Sequence, residues 1–203
     1  MRHKMKRLLF ASSAAVYGDP ERLPLDDGHP RRPLSPYGVA KLAFERYLEM
    51  YRQVAGISYV ALRYANVYGP RQDPFGEAGV VAIFISRLLR DERPIVFHDG
   101  TATRDYLFVG DASAAALLAL ESTVNGSFNI GTACETSVLG LVEELSVLAG
   151  RKVEPIFAAA RVGEIARSTL DASKARAELG WSPKVGLNAG LEQTLRWQRD
   201  QGW

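Results

Sequence analysis

The apolar positions of this chain fall alternately into short continuous runs and longer stretches of helical period. Residues 7–12, RLLFAS, are a continuous apolar run with little alternation, which predicts a strand covered on both faces. The polar, proline-rich stretch GDPERLPLDDGHPRRPLSP follows and reads as a loop. Ser35 then caps a helix with Pro36 at its first position and apolar residues at helical spacing to about residue 54. Gly56 stops it. ISYVALRY, residues 57–64, predicts a second buried strand, and ANVYGPRQDPFGEAG a long loop of the kind that in a compact domain usually carries function.

The second half continues the alternation. A helix is expected over 80–90, a strand at PIVFH, a turn at DGTAT and a strand at RDYLFV. An alanine-rich helix begins at Asp111 and runs to about 120. SFNI predicts a strand, 136–148 a helix, KVEPIFA a last strand, and 172–179 and 187–200 two more helices. No repeat, low-complexity tract or linker divides the 203 residues. Strands alternating with helices predict a largely parallel α/β sheet in one compact unit.

Composition narrows the function classes. Apolar residues make up 47% and charged residues 24%, ordinary for a water-exposed globule. The formal net charge is only +2, and the basic cluster Arg2, His3, Lys4, Lys6, Arg7 has no aromatic-interleaved continuation, so no nucleic-acid partner is expected. One cysteine, Cys134, excludes an internal disulfide framework and fits a reducing cytoplasm. No apolar run reaches bilayer-spanning length, and the first residues read as a strand rather than a signal peptide. Neither a metal site nor a membrane partner is expected.

Candidate chemistry begins with SPYGVAKL. Tyr37 and Lys41 are four residues apart, one turn along one helix face. An ammonium beside a phenol favours the phenolate and lowers its pKa from about 10 towards neutrality. Such a phenolate can take a proton from a substrate hydroxyl while a hydride leaves the same carbon. Taken alone, the pair reads equally as a solvated helix face. Ser12 and Ser13 end the first strand, at what would be the carboxyl edge of the sheet, where open α/β sheets bind ligands. Alone, they read as small residues in a tight turn.

Together these stretches resemble the extended short-chain dehydrogenase/reductase family of NAD-dependent epimerases and dehydratases, in its UDP-glucose 4-epimerase branch. The resemblance rests on FASSAAVYGD, SPYGVAKLAFE, LRYANVYGPRQ, GEAGVVAIF, FHDGTATRDYLFVGDAS, FNIG and LDASKARAELGW, in that order. It implies Ser13 as the hydroxyl of a catalytic triad, Tyr37 as its acid/base and Lys41 as the partner that also binds the nicotinamide ribose. Tyr64 would join Tyr37 and Lys41 at the cofactor, NAD. Asn66 matches a contact to the substrate diphosphate, and Arg104 and Arg161 match arginines that grip the UDP phosphates, a task suited to a planar bidentate fork. Phe97 falls near a uracil-contacting aromatic, with a place in the core as its alternative, and Glu164 near a ribose-binding acid. Asp105 and Asp111 are expected as turn and helix caps. The dehydratase branch carries an Asp-Glu pair where this chain has Ala14 and Ala15, so the implied reaction is 4-epimerisation of a UDP-sugar of the glucose/galactose type. It would proceed by reversible oxidation at C4.

The resemblance also implies an opening strand, a Gly-x-x-Gly-x-x-Gly turn and a helix for the dinucleotide pyrophosphate, and nothing here matches them. Gly76 and Gly79 form only a fragment of such a turn. The expected fold is therefore an incomplete Rossmann-like parallel sheet with a small C-terminal substrate-binding α/β lobe. The cofactor portion would be residues 1–74 and 104–130, and the lobe 75–103 and 131–203. The readings are a piece of a longer epimerase, one half of a split epimerase completed by an N-terminal polypeptide, or a non-catalytic UDP-sugar-binding module. A homo-oligomer, as the family's dimer interface implies, is the other expected partner.

Overall fold

The computed structural model describes residues 5, 7–75, 79–160 and 165–202. In chain order the elements are β1 (Arg7–Ser13), a 3-10 turn (Ala14–Val16), α1 (Pro36–Ala55), β2 (Ser58–Tyr64) and β3 (Asn66–Tyr68). Next come α2 (Val80–Leu89), β4 (Ile95–Phe97), β5 (Thr103–Arg104), β6 (Tyr106–Phe108), α3 (Val109–Glu121) and β7 (Gly126–Ile130). The chain closes with β8 (Thr136–Ser137), α4 (Val138–Ala149), β9 (Ile156–Ala158), α5 (Ser173–Leu179) and α6 (Leu187–Asp200).

The main sheet is parallel, in the order β1-β2-β7. Its register sets Ser13 beside Tyr64, and Tyr64 beside Ile130, at the carboxyl end. The period-2 alternation of β2 divides its side chains between two layers. Val60 and Leu62 pack with Ala112, Ala115 and Ala119 of α3, whose small side chains let that helix lie close. Tyr59 and Ala61 pack with Leu48 of α1 on the other face. A second core lies away from the sheet, where α2, α4 and α6 meet around Phe84, Ile85, Leu141, Leu145 and Leu191.

Several elements differ from expectation. β1 is only half-buried over most of its length, not covered on both faces, because among the described residues it pairs with β2 alone. The loop expected after residue 64 contains β3, which pairs with β6 in a short ladder that leaves little periodic signal. The RDYLFV run splits at Asp105: β5 pairs antiparallel with β8, and β6 parallel with β3. The long alanine-rich helix starts at Val109, two residues before Asp111. The parallel pairs are distributed over several small sheets and not gathered into one.

One buried ion pair organises the α1 side of the sheet. Arg63 and Glu45 are 1% and 3% exposed, and the Arg63 guanidinium meets the Glu45 carboxylate in a fork, Nη2 to Oε2 at 2.6 Å and Nε to Oε1 at 3.0 Å. Ser12 of β1 and Ser127 of β7 donate their hydroxyls to the same carboxylate, at 2.6 and 3.1 Å. Arg63 Nη1 donates to the Tyr17 hydroxyl, which donates to Asn129 Oδ1, while Asn129 Nδ2 donates to the Leu25 carbonyl. Three strands, one helix and the 17–32 loop are thus joined by charged or polar atoms that all find partners.

Burial is the largest influence and pushes the Glu45 carboxyl up, but the Arg63 hydrogen bonds and charge, together with the hydroxyls of Ser12 and Ser127, outweigh it and hold the group below the usual carboxylate range. Its contribution to stability is therefore complete above the unfolded carboxylate pKa and is lost as pH falls through the depressed folded value. Glu45→Ala, which strands a buried guanidinium, is expected to cost about 3–5 kcal/mol in urea unfolding at neutral pH. It should also flatten the acid limb of the stability–pH curve.

Candidate active site

Three elements bring the first candidates together. β1 ends at Ser13, whose backbone is extended and whose Oγ accepts from the Ala15 amide, so Ser13 caps the short turn that follows. The Ser35 hydroxyl accepts from the Gly38 amide and Pro36 fixes the first helical position, so α1 starts one residue before Tyr37. A Cβ on Gly38 would run into the Ala15 carbonyl oxygen. Only glycine lets the first turn of α1 press onto the turn that leaves Ser13. The two serines separate in role: Ser12 is buried against Glu45, and Ser13 faces the cleft.

Lys41 Nζ lies 5.3 Å from the Tyr37 ring centroid and 5.1 Å from that of Phe10, and donates to the Ala11 carbonyl at 2.8 Å. A lysine ammonium has three donors, so this bond leaves two for a ligand. Ser13, Tyr37, Tyr64, Asn66 and Arg104 line one cleft of about 360 Å³, together with Ala14 and Ala15. A second cleft, of about 370 Å³, is lined by Asn66, Phe97, Arg104, Arg87 and Tyr106. Asn66 and Arg104 belong to both, so the two clefts meet at an amide and a guanidinium. Phe97 is half-buried in the wall of the second and not sealed in a core. Arg161 and Glu164 lie outside the described residues, as does Gly76.

The tyrosines of these walls are not equivalent. Burial pushes Tyr64 and Tyr106 up to about 12, holding both phenols protonated at neutral pH. Tyr64 turns its hydroxyl to the Ala112 carbonyl, at 3.4 Å. Tyr37, 56% exposed and beside Lys41, is the phenol open to a ligand. Asp105 and Asp111 differ from simple caps. The Asp105 carboxylate accepts from the amides of Thr132, Ala133 and Leu170 and from the Thr132 hydroxyl, clamping two loops to the sheet edge. Asp111 sits in the first turn of α3 and receives the amides of Lys184 and Val185. Among the described residues, no cluster of His, Cys, Asp or Glu is placed to hold a metal ion, and no helix is long and apolar enough to cross a membrane.

Comparison with known proteins now decides the family. Residues 1–131 match the NAD dependent epimerase/dehydratase family. The chain belongs to that family. Among relatives of this family, a UDP-glucose 4-epimerase of Mycolicibacterium smegmatis is 43% identical, over 94% of this chain. Among solved structures, a UDP-glucose 4-epimerase of Thermotoga maritima with UDP-glucose superposes with a TM-score of 0.95 at 44% identity, over 98% of this chain. A UDP-glucose 4-epimerase of Thermus thermophilus in complex with NAD gives 0.88 at 41% identity, over 96%. The chain spans under two-thirds of each, 61%, 65% and 64% of their lengths respectively.

The family's cofactor fits this chain at one end. Lys41, with donors to spare beside the exposed Tyr37, suits a ribose hydroxyl pair at the nicotinamide. No Gly-x-x-Gly-x-x-Gly stretch occurs in the sequence, so the pyrophosphate has no such cradle among these residues. Arg87, Ile165 and Ser168 also line the clefts, without a motif to mark them, and no role was assigned from sequence to the Arg63–Glu45 pair on the α1 side of the sheet. An arginine inside the apolar run YVALRY was the available signal for the latter, since a buried charge demands a partner. Because Gly38 sets the approach of α1, Gly38→Ala is expected to destabilise the fold by about 1–3 kcal/mol in chemical unfolding. It should also weaken any ligand that bridges Ser13 and Tyr37.

Proposed function

We propose that this chain carries the substrate-binding and acid/base machinery of a UDP-sugar 4-epimerase of the glucose/galactose type. The observation that carries the reading is the pair of clefts meeting at Asn66 and Arg104. One is walled by a serine, an exposed tyrosine and small alanines, the other by an aromatic ring and apolar side chains. A nucleotide diphosphate sugar has that same sequence of parts: a sugar, two phosphates, and a base. In this reading Arg104 and Asn66 hold the diphosphate, with Arg161 and Glu164 assigned from the family pattern, and Phe97 packs on uracil.

At the sugar end, Tyr37 takes the proton from the 4-hydroxyl as its carbon is oxidised, and returns it on reduction of the other face. Lys41 lies against the Tyr37 ring, and Ser13 hydrogen-bonds the reacting oxygen. NAD, when bound, supplies the hydride acceptor, with Tyr37, Lys41 and Tyr64 at its nicotinamide end. Ala14 and Ala15 line the sugar cleft and have no proton to give or take, which favours epimerisation over dehydration. Residues 1–74 and 104–130 form the partial dinucleotide-binding portion, from which Ser13, Asn66 and Arg104 also reach the substrate, and 75–103 and 131–203 form the substrate-binding lobe.

Turnover in this reading requires the remaining third of the fold that the relatives possess, from the same polypeptide or another. The half-buried β1, with Phe10 stacked on Phe44 at 4.4 Å between ring centroids, is the place for it to add. Tyr47, Met50 and Val54 of α1 are exposed and suit a second copy. A UDP-sugar-binding module without redox chemistry is the second reading.

UDP should bind the purified protein in calorimetry without added NAD, and Arg104→Ala should weaken it by about tenfold to a hundredfold. Equal binding by that variant would sink the phosphate assignment. Tyr37→Phe should leave UDP affinity within about twofold, yet abolish interconversion of UDP-glucose and UDP-galactose by the completed enzyme. Failure of denatured protein to release NAD, even after incubation with excess cofactor, would favour the binding module.

A further inference from the structure

The wall shared by the two clefts is held from behind by a carboxylate that faces neither of them. Glu135 sits directly before β8. Its Oε2 accepts from the Thr103 hydroxyl at 2.5 Å and from Arg167 Nε at 2.9 Å, and its Oε1 accepts from Arg167 Nη2 at 2.6 Å. The pairing with Arg167 is bidentate, the geometry in which a guanidinium fixes orientation as well as distance. Thr103 and Arg167 are themselves neighbours across a parallel bridge. Three segments distant in sequence therefore converge on one side chain: β5, the start of β8, and residues 165–168.

What these segments carry makes the junction functional. Arg104 follows Thr103, and its Nη1 donates to the Thr103 carbonyl at 2.8 Å. The same carbonyl accepts from the Ser168 amide, and the Thr103 amide donates to the Ala166 carbonyl. Ile165 and Ser168 line the sugar-side cleft, and Arg104 lines both. Thr103 thus touches a cleft wall through its amide and carbonyl, and Glu135 through its hydroxyl. The register adds a further constraint: Arg104 pairs with Thr136, the residue after Glu135.

We propose that Glu135 is a substrate-positioning residue, a clamp that draws residues 165–168 against β5 and thereby sets both the Arg104 guanidinium and the facing wall at the spacing a nucleotide diphosphate needs. This rests on the nucleotide-sugar reading of the clefts. Glu135 touches no ligand in this scheme; it acts through Thr103 and Arg167. The clamp is electrostatically consistent. Hydrogen bonds from Arg167, then from Thr103, hold its carboxyl below the ordinary range, so the charged form that binds both partners is the one present at neutral pH.

The test is a double-mutant cycle read by UDP calorimetry on the purified chain, with thermal melts of every variant alongside. Glu135→Gln and Arg167→Gln should each weaken UDP binding about tenfold, and the double variant should be no weaker than either single one. Melting temperatures should differ by only a few degrees among them, which separates positioning from general loss of structure. Unchanged UDP affinity in Glu135→Gln, or losses that multiply in the double variant, would overturn the clamp. If Glu135→Gln fails to fold, Arg167→Gln alone decides, since Arg167 is 61% exposed and the Glu135 carboxylate keeps the Thr103 hydroxyl as a partner. An unaltered protein that binds no UDP would overturn the nucleotide reading itself. That result is distinct from one in which the parent binds and the variants bind equally well.

Discussion

The Arg63–Glu45 pair is the constraint on which the rest of the architecture hangs. A guanidinium and a carboxylate, both almost fully removed from water, are costly unless every donor and lone pair finds a partner. Here that requirement recruits Ser12, Ser127, Tyr17 and Asn129, and the bonds leave little freedom for the elements that carry them. Ser12 is the residue before Ser13, and Glu45 lies two turns beyond Tyr37 and one beyond Lys41 on α1. Fixing Ser12 to Glu45 therefore fixes the end of β1 against the start of α1. The geometry of the exposed pair at the surface is inherited from the buried pair beneath it.

The same logic, repeated with weaker groups, shapes the other end of the site. Asp105 holds the 132–133 backbone and the Leu170 backbone by their amides, and Glu135 holds residues 165–168 through Arg167. Burial pushes the Asp105 carboxyl up, and the hydrogen bonds from Thr132 and its neighbours pull against that. The cleft walls are thus short loops and two-residue strands, elements with little cooperativity of their own, stiffened by acidic side chains placed behind them.

How much of this the sequence showed depends on the kind of feature. The long helices and the strands of the main sheet were legible, because each has a periodic apolar pattern and clear punctuation: Ser35 and Pro36 before α1, Gly56 after it. The short ladders were not. β3, β5 and β8 are two or three residues long, and what makes them strands is a partner far away in sequence. The site followed the same division. Ser13, Tyr37, Lys41, Asn66, Phe97 and Arg104 lie in motifs that resemble a known family; all but Lys41 line two connected clefts, and Lys41 lies beside Tyr37. Ser168 and Arg87 carry no local signature, and their place in the walls comes from loop paths that only tertiary structure defines. The half-burial of β1 was also hidden, since an apolar run says nothing of how many strands flank it.

The reach of the Asp105 carboxylate has a consequence for the order in which the molecule takes shape. It bonds residues 27 and 65 positions further along the chain. Leu170 is made well after β1, β2 and β7, so on an elongating chain its bond to Asp105 is among the later contacts to form. During synthesis β1, α1 and β2 emerge in succession and can pair early, whereas the cleft wall at residues 165–168 has to wait for the final third of the chain. A nascent chain halted before residue 165 would possess the tyrosine, the lysine and the sheet beneath them, with one side of the basin still open to water.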